Sequence, residues 1–200
     1  MADPERKAKT RPGRARTALI AGLGSLALLA TGAVMLSRSV VDAPDLAEVE
    51  QDVGRRWPQV AQLSRSDLAG RLAASENIVL FDVREPAEYA VSHLPGAVRV
   101  DPGLSREAFL DIHSTRLAGK AVVFYCSVGV RSSLLASRVQ SDLASRGVAS
   151  IHNMAGGIFG WHNESRPLVD GIGATDRVHG YDKTWGRLVE RKSQLQTGRP

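Results

Sequence analysis

The sequence predicts an α/β domain of three layers, a mostly parallel central sheet flanked by helices, preceded by one N-terminal transmembrane helix. Three observations carry that expectation. The runs at 78–81 and 122–125 are apolar without alternation, the pattern of strands buried on both faces of a parallel sheet. Segments of helical periodicity alternate with these and with shorter strand-like runs at 60–63, 97–100 and 149–153. Upstream, residues 17–37 hold no charged side chain, and about 20 apolar residues suffice to cross a bilayer as a helix.

Charge separates the N-terminal arm from the rest. Of the net +5, residues 1–16 supply six basic side chains against Asp3 and Glu5, so 20 basic and 19 acidic side chains remain for residues 17–200. The folded part is close to neutral, which argues against a nucleic-acid surface. Six cations ahead of the apolar run, with only Arg38 directly after it, place the arm (1–16) in the cytoplasm and everything from residue 38 outside it. An uncleaved anchor over 17–37 fits the length of the run. A cleaved signal peptide, with a weak site near Ala30-Thr31-Gly32, and a buried core helix are the competing readings. One cysteine in 200 residues rules out an internal disulfide.

In chain order, residues 38–58 read as a linker whose Leu46, Val49, Val53 and Trp57 form a weak helical stripe between Pro44 and Pro58, a short helix that packs on the domain or spaces it from the membrane. The domain proper is expected over 59–168. Ser64 is a candidate N-cap for a helix carrying Leu68 and Leu72. Pro86 near the start of 85–89 suits a first helical turn, and residues 93–96 are turn chemistry before the strand at 97–100. A helix is expected over 105–113. Residues 149–153 read as the last strand, with Gly156 and Gly157 ahead of a helical turn at 158–162.

The chemistry is concentrated at residues 121–133. Strand-favouring residues 122–125 run into Cys126, a short loop contains Gly129, and from Arg131 the pattern turns helical through Leu135, Val139 and Leu143. A helix N-terminus and a neighbouring cation favour a thiolate, and a loop folded around Gly129 can aim backbone N–H groups inward as an anion nest. Ser132 and Ser133 are candidate caps for the helix. The expectation is a reactive cysteine facing a pocket that prefers negative charge; the alternative is an inert cysteine buried at a strand end.

Three motifs resemble those of the rhodanese family. Leu80-Phe-Asp-Val-Arg-Glu-Pro-Ala-Glu-Tyr-Ala-Val-Ser-His-Leu-Pro-Gly-Ala97 is similar to its N-terminal signature, Tyr125-Cys-Ser-Val-Gly-Val-Arg-Ser132 to its active-site loop, and Asn153-Met-Ala-Gly-Gly-Ile-Phe-Gly-Trp161 to its C-terminal signature. They stand in the family's order, and the resemblance spans residues 59–168. It implies a rhodanese-like fold and a sulfurtransferase that moves sulfane sulfur from a donor such as thiosulfate to a thiol or cyanide acceptor, with no cofactor and no metal. By position, Cys126 is the nucleophile and persulfide carrier and Arg131 the cation beside the donor. Ser127, Val128, Gly129, Val130 and Ser132 form the substrate-binding cradle. The loop is Cys-x4-Arg, one residue shorter than the Cys-x5-Arg phosphate cradle of cysteine phosphatases. Ser127 stands where many thiosulfate-using members carry a basic residue, which points to a neutral or thiol-linked donor or a protein partner. The alternative implied is a non-catalytic or redox-sensing rhodanese module that binds a partner in the cell envelope.

Asp82 and Arg84 match the family's Asp-x-Arg and are expected to pair with nearby loops, with pocket lining as the other reading. His93 belongs to a turn, with a base for Cys126 as its alternative, and Trp161 packs the last helix or lines the pocket rim. His113, His152, His162 and His179 show no metal-ligand spacing. The C-terminal extension (169–200), aromatic and polar over 178–185, can pack back on the domain, dock a partner or stay free.

Overall fold

The computed structural model describes residues 45–197. The basic arm at 1–16 and the transmembrane helix expected at 17–37 lie outside them. Among the described residues no helix is long and apolar enough to cross a membrane.

Helix α1 (Leu46–Arg56) starts in a capping box. The Asp45 carboxylate accepts from the Glu48 amide (2.8 Å) and the Glu48 carboxylate accepts from the Asp45 amide (3.2 Å). Its buried face, Val49 and Val53, joins the same hydrophobic core as the sheet, and so does Trp57 at its C-cap. Strand β1 (Ala61–Leu63) leads to Ser64, whose hydroxyl accepts from the Asp67 amide and caps α2 (Arg65–Ala73). Of the linker expected over 38–58, the described part carries the short helix its stripe suggested, and that helix packs into the domain's core.

The sheet forms from β1, β2 (Ile78–Asp82), β3 (Val98–Arg99), β4 (Ala121–Tyr125) and β5 (Ser150–Met154) in the order β1-β5-β4-β2-β3, every neighbouring pair parallel. The continuous apolar runs are the inner strands β2 and β4, as burial on both faces requires. Phe81 of β2 stacks on Phe124 of β4, with ring centroids 5.4 Å apart. It also meets Phe109 edge-on at 5.2 Å from α4 (Arg106–His113). Each such pair adds about 0.5–1.5 kcal/mol beyond its area burial.

The remaining connections are helical: α3 (Pro86–Val91) after β2, α5 (Val130–Ser145) after β4, and α6 (Gly157–Asn163) after β5. From β2 the chain moves outward to β3, then crosses back to β4 and continues to β5 on the other side. The reversal lies between β2 and β4. In open parallel sheets the crevice at the carboxyl ends of such strands is where ligands bind; here it holds the loops after Asp82 and after Tyr125.

The C-terminal extension packs back. Strand β6 (Leu168–Val169) pairs antiparallel with β7 (Ala174–Thr175), and β8 (Val178–His179) pairs parallel with β9 (Leu195–Gln196). Val178 and Val189 are fully buried in the common core. Of the three readings left by the sequence for this segment, the first is the one observed.

Candidate active site

The loop after β4 is shaped from two sides. Helix α6 approaches from below: the Ile158 amide donates to the Cys126 carbonyl (2.9 Å) and the Phe159 amide to the Ser127 carbonyl (3.0 Å). Gly157, at φ +54°, makes the approach possible, because a Cβ there would lie 2.3 Å from the Cys126 carbonyl oxygen. With those carbonyls engaged outward, the loop's amides are free to face the sulfur. Gly129 at φ +103° turns the chain into α5, and its amide donates to Cys126 Sγ at 3.2 Å.

Ser132 and Ser133, expected as caps, lie inside α5. The N-cap is Gly129, with no side-chain cap, because the helix begins at Val130, one residue ahead of Arg131, where its pattern starts in the sequence. The Ser132 hydroxyl instead donates to Asn153 Oδ1 (2.6 Å), tying α5 to the end of β5. Ser133 Oγ is buried and unpaired.

Burial pushes the Cys126 thiol up. The Arg131 charge, the hydroxyl and amide of Ser132 and the amide of Val128 outweigh it and hold the thiol below the ordinary cysteine value. The Ser132 hydroxyl has one proton, which its short contact with Asn153 also claims. Arg131 and the backbone amides are thus the constant part of this stabilisation.

Arg131 does not stand free in the pocket. Its guanidinium holds Glu88 of α3 bidentately (Nη1–Oε2 2.7 Å, Nη2–Oε1 2.8 Å) and donates to Ser127 Oγ (2.9 Å), which itself donates to Glu88 Oε1 (2.8 Å). Burial works against the ionised Glu88, but the bonds and charge of Arg131 hold its carboxyl below the ordinary range. Burial likewise disfavours the Arg131 cation, and Glu88 and the thiolate more than restore it. The Arg131 guanidinium also lies over the Tyr181 ring, 5.1 Å from its centroid.

The pocket above the sulfur has a volume of about 180 Å³, lined by Cys126, Ser127, Val128, Val130 and Arg131 from the loop and by Tyr181 and Trp185 from the C-terminal extension. The sequence predicts a pocket that prefers negative charge. The structure builds a mostly apolar one whose single lining cation among the described residues, Arg131, is already paired, because Glu88 reaches the loop from the neighbouring βα connection.

Of the residues assigned to the site from sequence, Cys126, Ser127, Val128, Val130 and Arg131 line the pocket, while Gly129 and Ser132 support the sulfur from behind. Asp82 and Arg84 form a fully buried ion pair outside the pocket lining. His93 stacks on Tyr89 (3.8 Å) and donates from Nδ1 to the Tyr89 carbonyl (3.1 Å), which holds it in its turn. Trp161 donates to the Pro167 carbonyl (2.9 Å) and packs in the core. Among the described residues no group of three or more acidic, His or Cys side chains could hold a metal.

Sequence reasoning missed Glu88, Tyr181 and Trp185. Glu88 had one signal: it sits in the first turn of the helix after β2, next to β4 in a parallel sheet, and so faces the β4 loop. Tyr181 and Trp185 had none, since no local pattern says where a C-terminal segment will dock.

A model of the rhodanese-like domain matches residues 64–164, half of the chain. A sulfurtransferase of Allochromatium vinosum is 31% identical over 110 residues, covering 55% of this chain and 95% of that protein. The thiosulfate:glutathione sulfurtransferase of Saccharomyces cerevisiae is 31% identical over 103 residues, 47% of this chain and 71% of that protein. The crystal structure of a thiosulfate sulfurtransferase from Pseudomonas aeruginosa aligns with a TM-score of 0.49 at 21% identity, over 64% of this chain and 23% of that one.

Proposed function

The chain belongs to the rhodanese-like domain family, and from that premise we propose that it is a sulfurtransferase in which Cys126 carries sulfur as a persulfide. The observation that supports this best is the place of the thiol, whose sulfur accepts from the Gly129 amide and lines a pocket together with Arg131. The relatives named as sulfurtransferases point the same way.

The Cys126 thiolate attacks the outer sulfur of a donor such as thiosulfate. The new Sγ–S bond forms as the donor's S–S bond breaks, and the leaving group, sulfite in the case of thiosulfate, departs with the electron pair. The persulfide anion then occupies the space of the cradle, where the Gly129 amide and the Arg131 charge stabilise it. An acceptor thiolate, or cyanide, attacks the outer sulfur, and Cys126 leaves as the thiolate that the site already favours. No electrons enter or leave the protein.

The reading is tested by sulfur transfer from thiosulfate to cyanide and to a small thiol, with intact-mass detection of a +32 Da adduct, the mass of one sulfur atom. Turnover and adduct are expected in the wild type and absent in Cys126→Ser; turnover surviving that substitution refutes the assignment. The uncharged run at 17–37 behind six cations supports a single-pass membrane protein with this domain on the extracytoplasmic side. A membrane-impermeant maleimide should then label Cys126 in spheroplasts without lysis, and labelling only after lysis would remove that topology.

A further inference from the structure

We propose that the C-terminal extension supplies the specificity wall of this site, with Tyr181 and Trp185 selecting a sulfur substrate whose body is an apolar, ring-sized group over a small dianion such as thiosulfate. The inference rests on the sulfurtransferase reading for its chemistry, but not for its geometry.

Both rings line the Cys126 pocket with Val128 and Val130, and both lie beyond the 64–164 stretch that matches the family. They are held there by more than chance packing. The Tyr181 amide donates to His179 Nδ1 (3.0 Å), and the Tyr181 backbone sits at φ +64°. That is a left-handed conformation a bulky non-glycine residue rarely adopts, and such strain is kept where the surroundings or the function require it. The Trp185 amide donates to Asp182 Oδ1 (2.9 Å). Trp185 is partly buried against the hydrophobic core, and its other side walls a second cavity of about 200 Å³ with Val49, Val53 and Trp57.

Charge and size agree with this assignment. Among the described residues the pocket's one lining cation, Arg131, is engaged by Glu88, Ser127 and the Tyr181 face, which leaves little positive potential for a dianion. The volume of about 180 Å³ compares with the roughly 150 Å³ engineered apolar cavity that takes benzene.

The test uses the full chain and two readouts. In the first, kcat/KM is compared for benzenethiosulfonate, which delivers its outer sulfur to Cys126 and leaves as benzenesulfinate, and for thiosulfate. In the second, Cys126, the one cysteine in the chain, is alkylated by benzyl bromide or by iodoacetate. Its sulfur displaces the halide, and the rate ratio is set against that of free cysteine. We expect the aromatic reagent to be favoured by about tenfold or more in both, and Tyr181→Ala or Trp185→Ala to remove most of that preference. The wild-type alkylation ratio needs no variant, so a misfolded variant leaves the test standing. Persulfide formation with no aromatic preference, or with a preference untouched by either variant, overturns the specificity wall and leaves the sulfurtransferase reading intact. A wall-dependent alkylation ratio with no persulfide from any donor upholds the wall and removes the sulfurtransferase. Absence of both removes both.

Discussion

Two arginine–carboxylate pairs lie within one stretch of sheet end, and they do different things. Arg84 and Asp82, at the end of β2, are both 0% exposed. Arg84 binds Asp82 bidentately (2.8 and 2.6 Å), donates to the Ser92 carbonyl (2.6 Å) and so closes the loop after α3 onto the strand; its Nη1 is left without a partner. Burial opposes that cation, and Asp82 keeps it charged. Arg131 meets Glu88 end-on through Nη1 and Nη2, where Arg84 uses Nε and Nη2; the Arg131 side chain is 24% exposed, its Nη2 is shared with Ser127, and its face lies over a tyrosine ring. One pair is sealed and holds the chain; the other is partly exposed and sets a charge beside the thiol in the same pocket. The bond lengths barely differ. What separates the two roles is which groups share the guanidinium.

The sharpest way to break the comparison is Arg84→Met. It strands Asp82 as an uncompensated buried charge and is expected to cost about 3–5 kcal/mol in denaturant unfolding. In the fraction that folds, the alkylation midpoint of Cys126 stays where it was; a shifted midpoint would merge the two roles.

Arg131→Met should be slightly milder in stability and much stronger in chemistry. Glu88 loses its partner, at about 3 kcal/mol, and burial then dominates the thiol. The sign follows from the shifts. In the wild type the folded thiol ionises below its ordinary value of about 8.5, so its alkylation rate rises with pH early and then flattens. The ionised site stabilises the fold above the unfolded value, and that contribution is lost as pH falls through the folded one. In Arg131→Met the rate midpoint moves above that of free cysteine, and a midpoint that stays low would assign the effect to the amides alone.

Glu88→Gln reverses the electrostatics with a smaller cost, about 1–3 kcal/mol for a neutral partner left in place of a charged one. With the carboxylate charge gone, Arg131 acts more fully on the thiol and on any anion in the pocket. The midpoint falls further and the KM for thiosulfate drops, and a higher KM would show that Glu88 positions Arg131 more than it masks it. Ser132→Ala is the smallest: it removes the tie to Asn153 for about 1 kcal/mol and raises the midpoint slightly, as pH-dependent alkylation would show.

Much of this was readable before folding. The unalternated runs at 78–81 and 122–125 demanded a parallel sheet, and such a sheet has its reactive crevice at the carboxyl ends of strands. A lone cysteine at the end of one such strand, ahead of a glycine and a helical pattern, marked the loop. Local chemistry also called for the Ser64 cap, and it is present.

What the sequence by itself determined, then, was the sheet, the order of its elements along the chain and the position of the cysteine, because periodicity, turn chemistry and caps act within a few residues. Only the tertiary structure decided that Glu88 would occupy Arg131, that Ser132 would serve Asn153 rather than cap a helix, and that Tyr181 and Trp185 would wall the pocket. Those contacts join residues 21 to 59 positions apart. Such pairings are chosen by which surfaces remain to be buried once the sheet has formed, a choice that no local pattern records.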